Sequence, residues 1–330
     1  MCSSDLMWSS CIARIVASAS LTLFAVGTVA AQADYPNRTV KIVVPNPPGT
    51  SLDVIPRIIG EKLAIKWGQS VIIENRPGAA QNLGAEAVAS SEPDGYTLLA
   101  SPPGPLAVSQ WFFPKLRFEP ATLVPVSVMV TLPTVIVAGP RAPVSTMQDL
   151  IAYAKSNPAK VTYGSPGTGS TPQLAVEEMA RAAGVQLVHV PYQGMGPAQR
   201  DLLGGQIDLM LDIAGNALPL IRDGRLRALA VTSATRIPEL PDVPAISEIM
   251  PGFVHTEWFA MVAPPKTPPA LVTKISQAIA ETLRLPDVTQ RLRDFVASPV
   301  GSSPAEAVAL VKRESDRWRQ LISVARLKSE

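Results

Sequence analysis

Two stretches of this sequence set glycine, proline and hydroxyl residues between an apolar run and a helical pattern. One is Gly164-Ser165-Pro166-Gly167-Thr168-Gly169-Ser170-Thr171. It matches a phosphate loop, G-x-x-x-x-G-K-[ST], except that Ser170 stands at the lysine position. Without that cation nothing neutralises a β- or γ-phosphate, so nucleotide hydrolysis is disfavoured. The backbone chemistry survives: glycine lets the chain approach a ligand closely, and a helix start offers N–H groups with a partial positive charge. Thr171 and Pro172 read as N-cap and first helical residue. Such a site suits a carboxylate, and an ordinary glycine-rich turn would carry the same residues.

The other stretch is Val43-Val44-Pro45-Asn46-Pro47-Pro48-Gly49-Thr50-Ser51-Leu52-Asp53. Its prolines stiffen the loop, so less entropy is lost when a ligand is clamped. Pro56 fits only in a first helical turn, which favours Asp53 as the cap and leaves Thr50 and Ser51 in the loop. Two helix starts facing each other across a cleft would bridge a ligand that is negative at both ends.

Other chemistry is sparse. Beyond residue 33 the chain has two histidines, His189 and His255, and no cysteine. A catalytic zinc site with its three protein ligands is not available from these, although carboxylate-only magnesium sites stay open. His189 in Val188-His189-Val190 reads as a strand histidine. Tyr163-Gly164-Ser165-Pro166-Gly167 fails as a hydrolase elbow, because Tyr163 replaces the first glycine and Pro166 has no N–H for an oxyanion hole.

The elements that must position these loops alternate. Apolar runs at 40–44, 71–74 and 96–100 are separated by helical patterns at 53–67 and 83–90, as in a parallel sheet covered on both faces. From Val124 to Val137 a β-prone stretch broken by Pro125 and Pro133 suits a chain crossing between two lobes. Alternation then resumes. Ser145-Thr146-Met147-Gln148 signals a capping box, Asn216 reads as the opener of a later helix, and three helical segments at 269–285, 288–296 and 304–325 finish the chain. The expected fold class is α/β with two lobes, residues 34–133 with 234–330, and residues 134–233.

With 47% hydrophobic and 17% charged residues the chain is too apolar and too charge-poor for disorder. Its 29 basic and 27 acidic residues leave +2, no footprint for a nucleic acid. Arg14 followed by an apolar run to Ala31, then Ala31-Gln32-Ala33, reads as a secretory signal cleaved after Ala33; an uncleaved membrane anchor is the competing reading. Both cysteines, Cys2 and Cys11, fall in that segment. The expected product is a periplasmic protein without disulfides.

Several ordered blocks carry a resemblance. They are Val44-Pro45-Asn46-Pro47-Pro48-Gly49, Glu74-Asn75-Arg76-Pro77-Gly78-Ala79, Pro93-Asp94-Gly95-Tyr96-Thr97-Leu98-Leu99, Val188-His189-Val190-Pro191-Tyr192, Asp201-Leu202-Leu203-Gly204-Gly205-Gln206 and Leu240-Pro241-Asp242-Val243-Pro244. In them the chain resembles the solute-binding component of tripartite tricarboxylate transporters, the Bug family. The resemblance implies a type II, Venus-flytrap binding protein, each lobe a mostly parallel sheet flanked by helices. Its lobes would close on a small organic carboxylate and hand it to membrane transporter subunits, with no catalysis, cofactor or metal and as a monomer. Signalling to a membrane receptor kinase is the alternative use of the same closure, and a hydrolytic enzyme a more distant one. Carried over, the contacts fall at Asn46, Pro48, Gly49, Thr50 and Ser51, and at Ser165, Gly167, Thr168, Gly169, Ser170 and Thr171. Asp212, at a strand end, is a further candidate for receiving an ammonium or hydroxyl. The family's first loop usually reads Pro-Phe-Pro-Pro-Gly-Gly, so Asn46 and Thr50 are departures that point to a different ligand class.

Overall fold

The computed structural model describes residues 35–325. The chain divides into a short segment ending at Asn37 and one compact unit from Arg38 onward, to which every element below belongs. The expected signal segment, residues 1–33, lies outside the described residues.

One curled mixed sheet runs through the unit. Its first half is built on β1 (Val40–Val44), which pairs in parallel with β2 (Val71–Asn75) and β3 (Thr97–Ser101). Beyond β3 comes β9 (Thr256–Ala263), antiparallel, and then β4 (Val124–Ala138). Its second half carries β5 (Thr162–Ser165), parallel to β6 (Val188–Pro191) and β7 (Leu209–Ile213). Here β7 and β8 (Arg227–Val231) pair antiparallel with β4. The two-residue β10 (Ser298–Pro299) also pairs with β4, at Val130 and Thr131.

Strand β4 is therefore common to both halves, and its prolines mark its duties. Proline cannot donate to a ladder. Pro125 sits at a register shift against β9, and Pro133 is the last residue paired with β9. From Thr134 onward the strand pairs with β7, and from Val135 with β8.

The main helices are α1 (Ser51–Trp67), α2 (Asn82–Ala89), α3 (Met147–Ser156), α4 (Thr171–Ala183), α5 (Met195–Gly204), α6 (Ala214–Arg222), α7 (Pro269–Leu283), α8 (Pro286–Arg293) and α9 (Pro304–Ala325). Helix α1 buries Leu52, Ile55, Ile58, Ile59 and Leu63, the stripe a helix needs to cover a sheet. On α9, Trp318, Leu321 and Ile322 join an apolar cluster with Leu174, Ala175 and Met179 of α4.

Three helix starts differ from the sequence expectation. Helix α1 begins at Ser51 with Thr50 as N-cap, so Asp53 lies inside the first turn and Pro56 within the helix. Helix α4 begins at Thr171 with Ser170 as N-cap. Helix α6 begins at Ala214, placing Asn216 in its first turn. The capping box of α3 is formed by Thr146 and Asp149, one residue later than expected. At the starts of α1, α3 and α4 a polar side chain in the first turn accepts from a loop N–H, as a true cap would. Asp53 accepts from the Gly49 N–H at 2.9 Å, and Gln173 from the Gly169 N–H at 2.6 Å.

Candidate functional site

The loop after β1 and the loop after β5 meet at the junction of the two sheet halves. Between them lies a narrow hollow of about 30 Å3, lined from the first loop by Asn46 and Thr50 and from the second by Pro166, Thr171 and Pro172. Gln81, Thr134, Asn216 and Glu257 add polar groups; Leu52, Leu211, Ile213, Met195 and Phe259 add apolar walls. No lysine or arginine is among the lining residues.

Contacts across the junction draw the two halves together. Ser51, fully buried, donates through its hydroxyl (2.6 Å) and its N–H (3.2 Å) to Oδ1 of Asn216. Thr171 donates to Oε1 of Glu257 at 2.5 Å. Gly194 runs so close to Pro47 that a Cβ there would stand 2.7 Å from its ring, which explains a glycine at φ +113.

Asp53 changes how the first helix start reads. Its carboxylate accepts from the Gly49 N–H, from Arg57 (2.8 and 3.0 Å) and from Asn75 (2.8 Å). Burial alone would raise its pKa, but the bonds from Arg57, Gly49 and Asn75 and the Arg57 charge outweigh it and hold the group below the usual range. The anion position at this start is thus held by the protein's own carboxylate. The second start is similarly engaged by Gln173. The side-chain donors that line the hollow are amides and hydroxyls.

Gln81 is one of the lining residues the sequence did not reveal. It adopts φ +74 directly after Ala79 (φ +47) and Ala80 (φ +49), three left-handed non-glycine residues in a row. Such backbone persists only where its surroundings impose it. Gln81 Nε2 donates to Asn46 Oδ1 at 3.2 Å, and Asn46 Nδ2 donates to Thr50 Oγ1 at 3.3 Å.

Of the residues singled out from sequence, Asn46, Thr50 and Thr171 line the hollow. Pro48, Gly49, Thr50 and Asp212 line an adjoining one, with Asn216 and Met195 on the wall between. Ser51 binds Asn216 as described. Gly169 abuts the rings of Phe112 and Phe113, Gly167 faces the Ala80 backbone, and Ser170 donates to the Gly167 carbonyl. Thr168 is exposed. Ser165 is fully buried and lies 2.7 Å from His189 Nε2. Burial pushes His189 down to about 4, so it is neutral near pH 7, and it stacks on Tyr163. With its hydroxyl sealed from solvent, Ser165 holds the loop and offers no surface to a substrate.

Asp212 is 1% exposed and accepts from its neighbour Ile213 N–H (2.7 Å), Gln199 (3.0 Å) and Asn216 (3.1 Å). It thereby orients Asn216 toward Ser51. Burial raises its pKa to about 6, opposed by bonds from Asn216, Ile213 and Gln199. The folded state then binds this proton more tightly than the unfolded chain, whose ordinary value is 3.8. Its contribution to stability is greatest below about pH 4 and declines as pH rises through 6, by up to about 3 kcal/mol. In urea unfolding, Asp212→Asn should therefore gain on the unsubstituted protein between pH 4 and pH 7. A pH-independent difference would show that Asp212 ionises normally.

Comparison with known proteins agrees with this architecture. The model for the tripartite tricarboxylate transporter family receptor matches residues 55–327. The chain belongs to this receptor family. A Rhodopseudomonas palustris protein, Rpa4515, solved with adipate, is 36% identical and superposes with a TM-score of 0.85, covering 88% of this chain and 98% of that one. The periplasmic binding protein BugD is 33% identical with a TM-score of 0.84, covering 90% and 100%. MatC (Rpa3494) of Rhodopseudomonas palustris, solved with malate, is 33% identical with a TM-score of 0.82, covering 87% and 100%. The receptor thus has the two-lobed α/β fold of periplasmic binding proteins. No helix among its described residues is long and apolar enough to cross a membrane.

Proposed function

We propose that this receptor is an extracytoplasmic solute-binding protein that captures a small organic carboxylate and delivers it to a tripartite tricarboxylate-type membrane transporter, without catalysing a reaction. In this reading residues 1–33 direct export and are removed after Ala33. The two lobes are residues 34–133 with 234–330, and residues 134–233. The handover of β4 at Pro133 and Thr134 supports that division. Asn46, Thr50 and Thr171 contact the ligand; Pro48, Gly49, Ser51, Ser165, Gly167, Gly169 and Ser170 shape the loops that bear them.

The observation that carries the reading is a hollow lined from both sheet halves by amides and hydroxyls, bridged by Ser51–Asn216 and Thr171–Glu257. Concave, largely apolar sites with a few polar groups are where small ligands bind. The adipate and malate bound by two relatives favour an organic acid.

Thermal unfolding with adipate, malate and wider sets of di-, tri- and aromatic acids tests it. A ligand at a hundred times its Kd should add about 2.7 kcal/mol of stability. No shift with any acid, or conversion of a binding acid to a product, would overturn the reading. Delivery is checked by uptake of the labelled ligand in cells lacking this receptor, which its return should restore.

A further inference from the structure

The hollow contains a carboxyl oxygen that organic-acid binding alone does not explain. Glu257 lies in β9 opposite Leu132 of β4, and its side chain is 4% exposed. One oxygen, Oε1, accepts from Thr171. The other, Oε2, is buried and has no hydrogen-bond partner among the described residues. His255, 2% exposed, brings Nε2 within 3.4 Å of Oε1, yet neither of its ring nitrogens makes a hydrogen bond. Its ring stands edge-on to Trp318, centroids 6.1 Å apart.

A buried carboxylate oxygen is costly unless a donor meets it. Among the described residues neither lysine nor arginine lines the hollow to supply one. A dicarboxylate would bring only further acceptor oxygens against Oε2 of Glu257. A ligand with a carboxylate at one end and an ammonium at the other would satisfy both sides: Asn46, Gln81 and Asn216 carry amides able to donate to the carboxylate, and Oε2 accepts from the ammonium.

We propose that Glu257 is the cation-receiving residue of this site and that the ligand is a zwitterionic amino-carboxylic acid. This rests on the reading that the hollow binds an organic acid, and it goes beyond that reading by naming which kind.

The experiment is calorimetric titration of the unsubstituted receptor with length-matched pairs: adipate against 6-aminohexanoate, and succinate against 4-aminobutanoate. The amino acid of at least one pair should bind tenfold or more tighter than its partner. Glu257→Gln, with folding checked by circular dichroism, should weaken that amino acid by tenfold or more and leave the dicarboxylate unchanged or tighter. A receptor that prefers the dicarboxylate in both pairs, or that binds neither amino acid, overturns the proposal. So does a Glu257→Gln variant that weakens both members of a pair equally, since that is the mark of a purely structural role. Should the variant fail to fold, the ratio in the unsubstituted receptor decides alone. If other organic acids bind without this preference, the Glu257 assignment falls and the transport reading stands; if no organic acid binds, both fall.

Discussion

Gly215→Ala should cost about 3 kcal/mol and lower the melting temperature by roughly 6–12 °C, because a Cβ there has nowhere to go. It would stand 2.1 Å from the carbonyl oxygen of Phe295 and 2.5 Å from its carbonyl carbon. Backbone is not the flexible end of a side chain, and this backbone is pinned. Phe295 and Ala297 both donate to the Leu292 carbonyl, Leu292 is fully buried, and Val296 is held at φ +53 in the core. The first turn of α6 would have to move instead, carrying Asn216 away from Ser51. Ligand affinity should therefore fall with stability. Gly204→Ala, where a Cβ meets nothing within 4 Å, is the control and should leave the melting temperature unchanged or raise it. Equal melting curves for the two variants would show that the 292–297 turn yields.

How much of this was readable from sequence follows from the range of each interaction. Strand β1 and helix α9 lie where the apolar runs and helical period put them, because both signals are local. The β-prone stretch read as a crossing is one strand shared by both halves, and its second proline falls at the handover. The starts of α1, α3 and α4 were displaced by one to three residues for a common reason. Asp53, Gln173 and Asp149 sit inside the first turn and still accept from loop N–H groups. A polar residue near a helix start announces the start without saying which side of it the residue occupies.

The site divided along the same line. Its two glycine- and proline-bearing loops were visible as local composition. Gln81 and Glu257 were not, because they enter from chain segments 35 and 86 residues away from Asn46 and Thr171, the residues they bond. One signal for Glu257 was present: it is the one charged residue of the strand Thr256–Ala263 and is flanked by apolar residues on its C-terminal side. A charge so placed is either exposed at an edge or employed inside, and only its burial opposite Leu132 of β4 decides for the inside. Asp53 was legible as a polar residue at the loop but not as the anion that already occupies the first helix start. That distinction moves the expected recognition chemistry from backbone N–H groups to amide and hydroxyl side chains.

Gly169→Val should abolish the stabilisation given by any acid that binds the unsubstituted receptor. The residue sits at φ +87, where a β-branched side chain is strained, and its Cβ would lie 2.7 Å from Phe112 and 2.8 Å from Phe113. Those rings pack edge-on, centroids 5.1 Å apart, and Phe112 belongs to the cluster that holds Leu174 and Trp318. They cannot swing aside without opening that cluster, so the second loop must draw back. Thr171 then leaves Glu257, and the hollow loses one wall. The cost falls on the approach of the loop more than on the sheet behind it, so the variant should still fold, melting a few degrees lower. The exposed neighbour supplies the control, since Thr168→Val should bind as before. Retained affinity in Gly169→Val, measured by titration with the same acid, would mean that the loop does not form the ligand's wall.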